Sequence, residues 1–155
     1  MDGETLQAVW RASFPELRTE RLRLREPLPR DATALLGILG DLEVARFHNM
    51  PTLTTLSQAQ TALEQLEQRY RARYTIRWAI ELSTSDEMIG TIGLLRFDFE
   101  RRRAELGHEI ARREWGRGLT PEAGAAVVRY GFSVMRLHRI EAGVIPVAVV
   151  QPARN

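Results

Sequence analysis

The sequence predicts an α+β domain, a mixed and mostly antiparallel sheet with helices packed on it. Three observations predict it. Segments 75–82, 88–97 and 104–111 each alternate apolar and polar residues and follow one another through short polar turns, which is an antiparallel meander. A helix-period segment, 121–136, joins the last of these to a further strand, 139–145, so those two strands should be parallel neighbours. Two more helix-period segments precede the meander. The predicted order is β-α-α-β-β-β-α-β in one domain.

Residues 1–13 read as an extension, with Leu6, Val9 and Trp10 at helical spacing. Segment 18–26 alternates, with Leu22 and Leu24 on one side and Arg21, Arg23 and Arg25 on the other. That is a half-buried strand, ended by Pro27 and Pro29. A helix follows with Ala32, Leu35, Leu36 and Leu39 on one face, and Gly40 and Asp41 close it. Segment 44–56 carries Phe47, His48, Asn49, Met50 and Pro51 and reads as an irregular loop lining a cleft. His48 is open between a site residue and an ordinary hydrogen-bonded or exposed histidine.

Ser57-Gln58-Ala59-Gln60 looks like a capping box opening the next helix. Its inner stripe is Ala59, Ala62, Leu63, Leu66 and Tyr70. Thr84-Ser85-Asp86 is a hairpin turn between the first two strands of the meander. Gly90 and Gly93 inside the second strand suggest a bulge or a close backbone approach. In the third strand Glu105, Gly107 and Glu109 share one face, and Leu106, His108 and Ile110 the other. The last long helix turns Ala123, Ala126, Val127, Tyr130 and Val134 inward.

Between strand 104–111 and that helix stands Arg113-Glu114-Trp115-Gly116-Arg117-Gly118, then Leu119-Thr120-Pro121. Glycines let the main chain curve and approach a ligand closely. The first N–H groups of a helix have no intrahelical partner, and the helix dipole favours an anion there. Thr120 is the expected cap and Pro121 the expected first helical residue. Taken alone, the turn fits either an anion cradle or a bend that needs glycine for shape. It lacks the Gly-Lys-Ser/Thr of a P-loop and the third glycine of a dinucleotide fingerprint.

With 155 residues, 44% hydrophobic and 27% charged, the chain is long enough for one cored domain and too apolar for a disordered one. Net charge is only +2, so nothing demands a polyanionic partner. Arg101-Arg102-Arg103 has little aromatic interleaving, so it reads as a solvated run and no nucleic acid is expected. The sequence has no lysine and no cysteine, which excludes Schiff-base chemistry, disulfides, thiolate nucleophiles and Cys-ligated metals. No metal and no membrane segment is expected, and the expected location is cytoplasmic.

Four stretches resemble the GNAT superfamily of acyl-CoA-dependent N-acetyltransferases, in particular its RimJ/RimL-like branch. They are Thr19-Glu20-Arg21-Leu22-Arg23-Leu24-Arg25; Trp78-Ala79-Ile80 with Ile89-Gly90-Thr91-Ile92-Gly93-Leu94; Glu105 through Ala123, including Arg-x-x-Gly-x-Gly; and Tyr130-Gly131-Phe132 through His138-Arg139-Ile140-Glu141-Ala142. Together they cover about residues 14–146. The resemblance implies a V-shaped splay between the fourth and fifth predicted strands, with acetyl-CoA as cosubstrate and an amine as acceptor.

It further implies that N–H groups between Arg113 and Thr120 hold the CoA diphosphate: Arg113, Gly116, Arg117, Gly118, Leu119 and Thr120. The pantetheine arm would lie between Ile110-Ala111-Arg112 and Ala142-Gly143-Val144, with an N–H near Ala111 polarising the thioester carbonyl. An amine is mostly protonated near neutral pH, so a base is needed. Glu105 and Glu141 are the candidates, against the plainer reading that each pairs with an arginine; Glu109 is assigned a structural role.

The tail departs from the family. Ala148 stands where the family has asparagine, and residues 147–155 carry no counterpart of its fourth helix, last two strands or thiolate-protonating tyrosine. The expectation is therefore a C-terminally truncated fold whose open edge at 139–145 is covered in a homo-oligomer. The competing functions are a non-catalytic acyl-CoA-binding module and, disfavoured by charge, a nucleic-acid binder.

Overall fold

Leu22, Leu24, Ile76, Trp78, Ile80, Ile92 and Leu94 are all buried in one cluster, as period-two spacing on a single sheet face requires. The computed structural model describes Trp10 and residues 13–46 and 52–142. In it the sheet has six strands: β1 (Leu17–Arg18), β2 (Leu22–Arg25), β3 (Ile76–Leu82), β4 (Met88–Asp98), β5 (Arg103–Ile110) and β6 (Arg139–Ala142). They lie side by side in chain order. Strands β1 to β5 pair antiparallel, and β5 pairs with β6 in parallel through the expected crossover. The fold is thus α+β, with a mixed, mostly antiparallel sheet.

Four α-helices are described: α1 (Ala32–Leu39), α2 (Leu42–Ala45), α3 (Leu56–Arg71) and α4 (Leu119–Ser133). Helix α4 lays Leu119, Ala123, Val127 and Tyr130 against the apolar face that holds Trp78 and Ile92. Helices α1 and α3 cover the other face, where Ala32, Leu35, Ile38, Ala59 and Leu63 meet Ala79, Met88 and Ala111. The α1 stripe therefore centres on Ile38, and Leu36 and Leu39 sit at its margin. Among the described residues no helix is long and apolar enough to cross a membrane.

Segment 18–26 is not one strand. Thr19 N donates to Leu22 O at 2.9 Å and Leu22 N donates to Thr19 Oγ1 at 3.0 Å, so the chain turns at 19–21 and β1 folds back on β2. The threonine hydroxyl closes that turn, a local bond that alternation does not register. Helix α3 is capped two residues before the expected cap, Ser57. Thr55 is its N-cap, bonded reciprocally with Gln58. Thr55 and Ser57 each have a glutamine three residues on, so the pattern fits both, and the helix takes the Thr55–Gln58 pair. Gly90 and Gly93 mark close approaches: an added Cβ would stand 2.4 Å from Glu109 O and 2.3 Å from Ile76 O, respectively. The β3–β4 register also shifts at Ile80/Glu81, next to Gly90. Trp10 docks in the core against Tyr70 and Phe97, with ring centroids 5.5 and 5.2 Å apart.

The charges on the α1 side of the sheet form a chain whose centre, Arg25, Asp31 and Glu81, is buried. Arg25 bonds Glu81 at 2.6 Å and both oxygens of Asp31 at 2.8 Å, while Arg23 bonds Glu81 and Glu16. Burial pushes the Asp31 carboxyl upward. Hydrogen bonds from Arg25 and from the Leu28 N–H, with the charge of Arg25, outweigh that and leave it below the ordinary carboxylate value. The Arg101–Arg103 run is partly paired: Arg103 lies 3.6 Å from Asp98 and Arg101 lies 4.0 Å from it.

Candidate active site

The site is built at the C-terminal end of β5. Ala111 N donates to Ile89 O at 2.7 Å, so the sheet ladder holds that amide. Antiparallel pairing alternates the direction of the backbone groups. Ile110 and His108 therefore point theirs the other way, toward β6. A tight turn at Arg112–Glu114 follows, then Trp115, whose Nε1 donates to Ile110 O at 3.0 Å and staples the turn to the strand end.

Gly116 and Gly118 have φ of +78° and +75°, a left-handed region that costs other residues about 1–2 kcal/mol. Helix α4 starts at Leu119, with Gly118 as its N-cap and no side-chain cap bond. Thr120 is thus the second helical residue and does not cap; Pro121 is the third. The earlier start follows from Gly118, whose αL turn delivers the chain into the helix. Proline is tolerated there because its missing N–H is one of the unpartnered set. Among the described residues the amides of Gly118, Leu119 and Thr120 meet no side-chain cap, which leaves them for water or an anion.

The arginines around the turn are exposed and paired. Arg112 lies 3.1 Å from Asp41, Arg113 lies 3.5 Å from Glu87, and Arg117 bonds the largely buried Glu114. The main chain, and not a free cation among these three, is what the turn offers an anion. A cleft of about 580 Å³ opens beside Ala111, Arg112 and Arg113, between α1 and the β3–β4 turn. Neither glycine lines it.

Glu105 and Glu141 are brought level on β5 and β6, as register partners in the parallel pair. Both are partly buried. Glu105 bonds Arg96 and Glu141 bonds Arg139, each at 2.9 Å. Glu105 precedes Ile110 by roughly 17 Å of extended strand. The strands pair from Arg103 to Leu106 on β5 and from Arg139 to Ala142 on β6. Ala142, the last described residue, therefore stands opposite Leu106 and not Ile110. His48, Gly143, Val144 and the tail lie outside the described residues. Glu109 is buried between Arg77 and Thr91, bonded to both.

Residues that pattern reading missed complete the turn. Glu122, in the first turn of α4, accepts from Thr19 Oγ1 at 2.5 Å, Arg21 N at 2.9 Å and Arg21 Nε at 2.7 Å. Arg21 Nη1 donates to Arg117 O at 2.9 Å. The hydrogen bond from Thr19, with those from the Arg21 main chain and guanidinium, holds the Glu122 carboxyl below its ordinary value. These partners lie about a hundred residues apart in the chain, so no local spacing announces them.

A family model described as the acetyltransferase (GNAT) domain matches residues 21–147. The chain is 37% identical over 129 residues to an uncharacterised N-acetyltransferase, YoaA, of Bacillus subtilis, covering 83% of this chain and 73% of the relative. The crystal structure of an acetyltransferase from Agrobacterium tumefaciens superposes with a TM-score of 0.71 at 25% identity, covering 88% of this chain and 77% of that one. Mycobacterium smegmatis RimJ, solved in complex with CoA-disulfide, shares the fold with a TM-score of 0.70 at 24% identity, covering 89% and 70%. A family match across most of the sequence, together with a relative at that identity, establishes that the chain belongs to the GNAT family of acetyltransferases, whose cosubstrate is acetyl-CoA.

Proposed function

We propose that this chain transfers the acetyl group of acetyl-CoA to a primary amine, on a protein N-terminus or a small molecule. One observation carries the reading: the glycine turn that follows β5 leaves the first amides of α4 without a side-chain cap. The amides from Gly116 to Thr120 hold the diphosphate. The outer edge of β5 near its C-terminal end receives the pantetheine arm as an added strand, and an N–H on this edge polarises the thioester carbonyl. Ala111 does not take that place, because its own amide is spent on Ile89.

Glu105 and Glu141 lie where β5 and β6 pair, at the far end of β5 from the turn. The acceptor nitrogen bonds to the carbonyl carbon, the carbon–sulfur bond breaks, and a carboxylate takes the nitrogen's proton. The pair has to release an arginine to do so. That pairing favours the second reading, a non-catalytic acyl-CoA-binding module.

Calorimetry with CoA tests the site, and thiol release from acetyl-CoA with a panel of amines tests the chemistry. Gly118→Val forces a branched residue into φ +75° and sets its Cβ 3.5 Å from Arg21 Nη2. The expected result is loss of CoA binding with helical content retained. Undiminished affinity would remove the turn as the diphosphate site, and binding without thiol release would leave the binding module.

A further inference from the structure

Glu122 sits where an anion-binding helix start should least tolerate it. A carboxylate in the first turn competes with a diphosphate for the same positive field. Here it is turned back onto the β1–β2 turn, where Arg21 neutralises it and Thr19 holds it. The same guanidinium fixes the turn itself through Arg117 O, beside both positive-φ glycines. Its Nε and Nη1 are thereby used. Its Nη2, which has no hydrogen-bond partner among the described residues, stands 3.5 Å from where a Cβ on Gly118 would be. Arg112, Arg113 and Arg117 are paired with carboxylates as well, but among the described residues only Arg21 also bonds the main chain of the turn.

Resting on the proposed function, we infer that Arg21 is a diphosphate-binding residue of this site, with Glu122 and Thr19 as its positioning pair. One guanidinium cancels the carboxylate that would repel the ligand, braces the turn that cradles it, and presents a remaining N–H to it. Hydrogen bonds that involve a charged group are the stronger kind, and this one is made only when the ligand is bound.

The test is CoA affinity by calorimetry on Arg21→Met, Glu122→Gln and the double variant, each checked for fold by circular dichroism. Arg21→Met should weaken CoA binding by about tenfold, which is the effect of one such contact. It should also make binding less sensitive to ionic strength than in the wild type. The double variant should bind CoA more tightly than Arg21→Met alone, because it lacks the exposed carboxylate. A brace with no electrostatic part predicts the opposite, a double variant no better than the single. CoA affinity unchanged in Arg21→Met, or a double variant as weak as the single, overturns the inference while the diphosphate site stands. A wild-type chain that binds no CoA overturns the site and the inference together.

Discussion

Asp31 and Glu122 both have folded carboxyl values below their ordinary ones. A depressed value means that the ionised group stabilises the native state. That stabilisation is present above the unfolded carboxylate range, near ~4, and is lost as pH falls through the lowered folded values. Glu122→Gln should therefore flatten the acid limb of melting temperature against pH, checked by thermal scans between about pH 3 and 6. A limb as steep as the wild type's would mean that the Thr19 and Arg21 bonds add nothing to folding. The other single-residue determinants are the two positive-φ glycines. At Gly116 an added Cβ meets nothing within 4 Å, so its constraint is conformational alone. Gly118 has the conformation and the neighbouring guanidinium together.

Among elements, β2 depends most on partners outside itself. It is four residues long, and its polar side carries Arg23 and Arg25. Arg25 is almost wholly buried and links β2 to Asp31 ahead of α1 and to Glu81 on β3. Removing one member of a buried ionic set leaves the others uncompensated in a low-dielectric interior, at a cost of about 3–5 kcal/mol. Arg25→Met should destabilise the fold by that amount in urea denaturation. A loss under about 1 kcal/mol would show that water reaches the carboxylates. This arrangement also bears on the site, since β2 begins just after the turn that carries Thr19 and Arg21.

Across the whole molecule, the crossover through α4 sets Glu141 beside Glu105. Parallel register then makes the carboxylates neighbours on one face. The pH–rate profile tests their role as a unit. A base must be deprotonated to act, so the rate should rise with pH through its titration. Glu141→Ala should flatten that rise for thiol release at saturating acetyl-CoA. An unchanged profile removes Glu141 as the base and leaves it as the partner of Arg139.

What the sequence determined by itself follows from local physics. Alternation at 75–82, 88–97 and 104–111 specifies strands and their buried face, helical spacing specifies α1, α3 and α4, and the two glycines before α4 specify a turn that can bare its amides. The order of those elements was enough to predict the meander and the parallel last pair. Only the tertiary structure decided which side chains meet. The fold-back at 19–21, the Thr55 cap and the helix start at Leu119 turn on single hydrogen bonds and backbone angles that periodicity averages away. The Arg21–Glu122–Thr19 contact and the level placement of Glu105 and Glu141 join residues far apart in the chain, and such partners come together only once the sheet is closed.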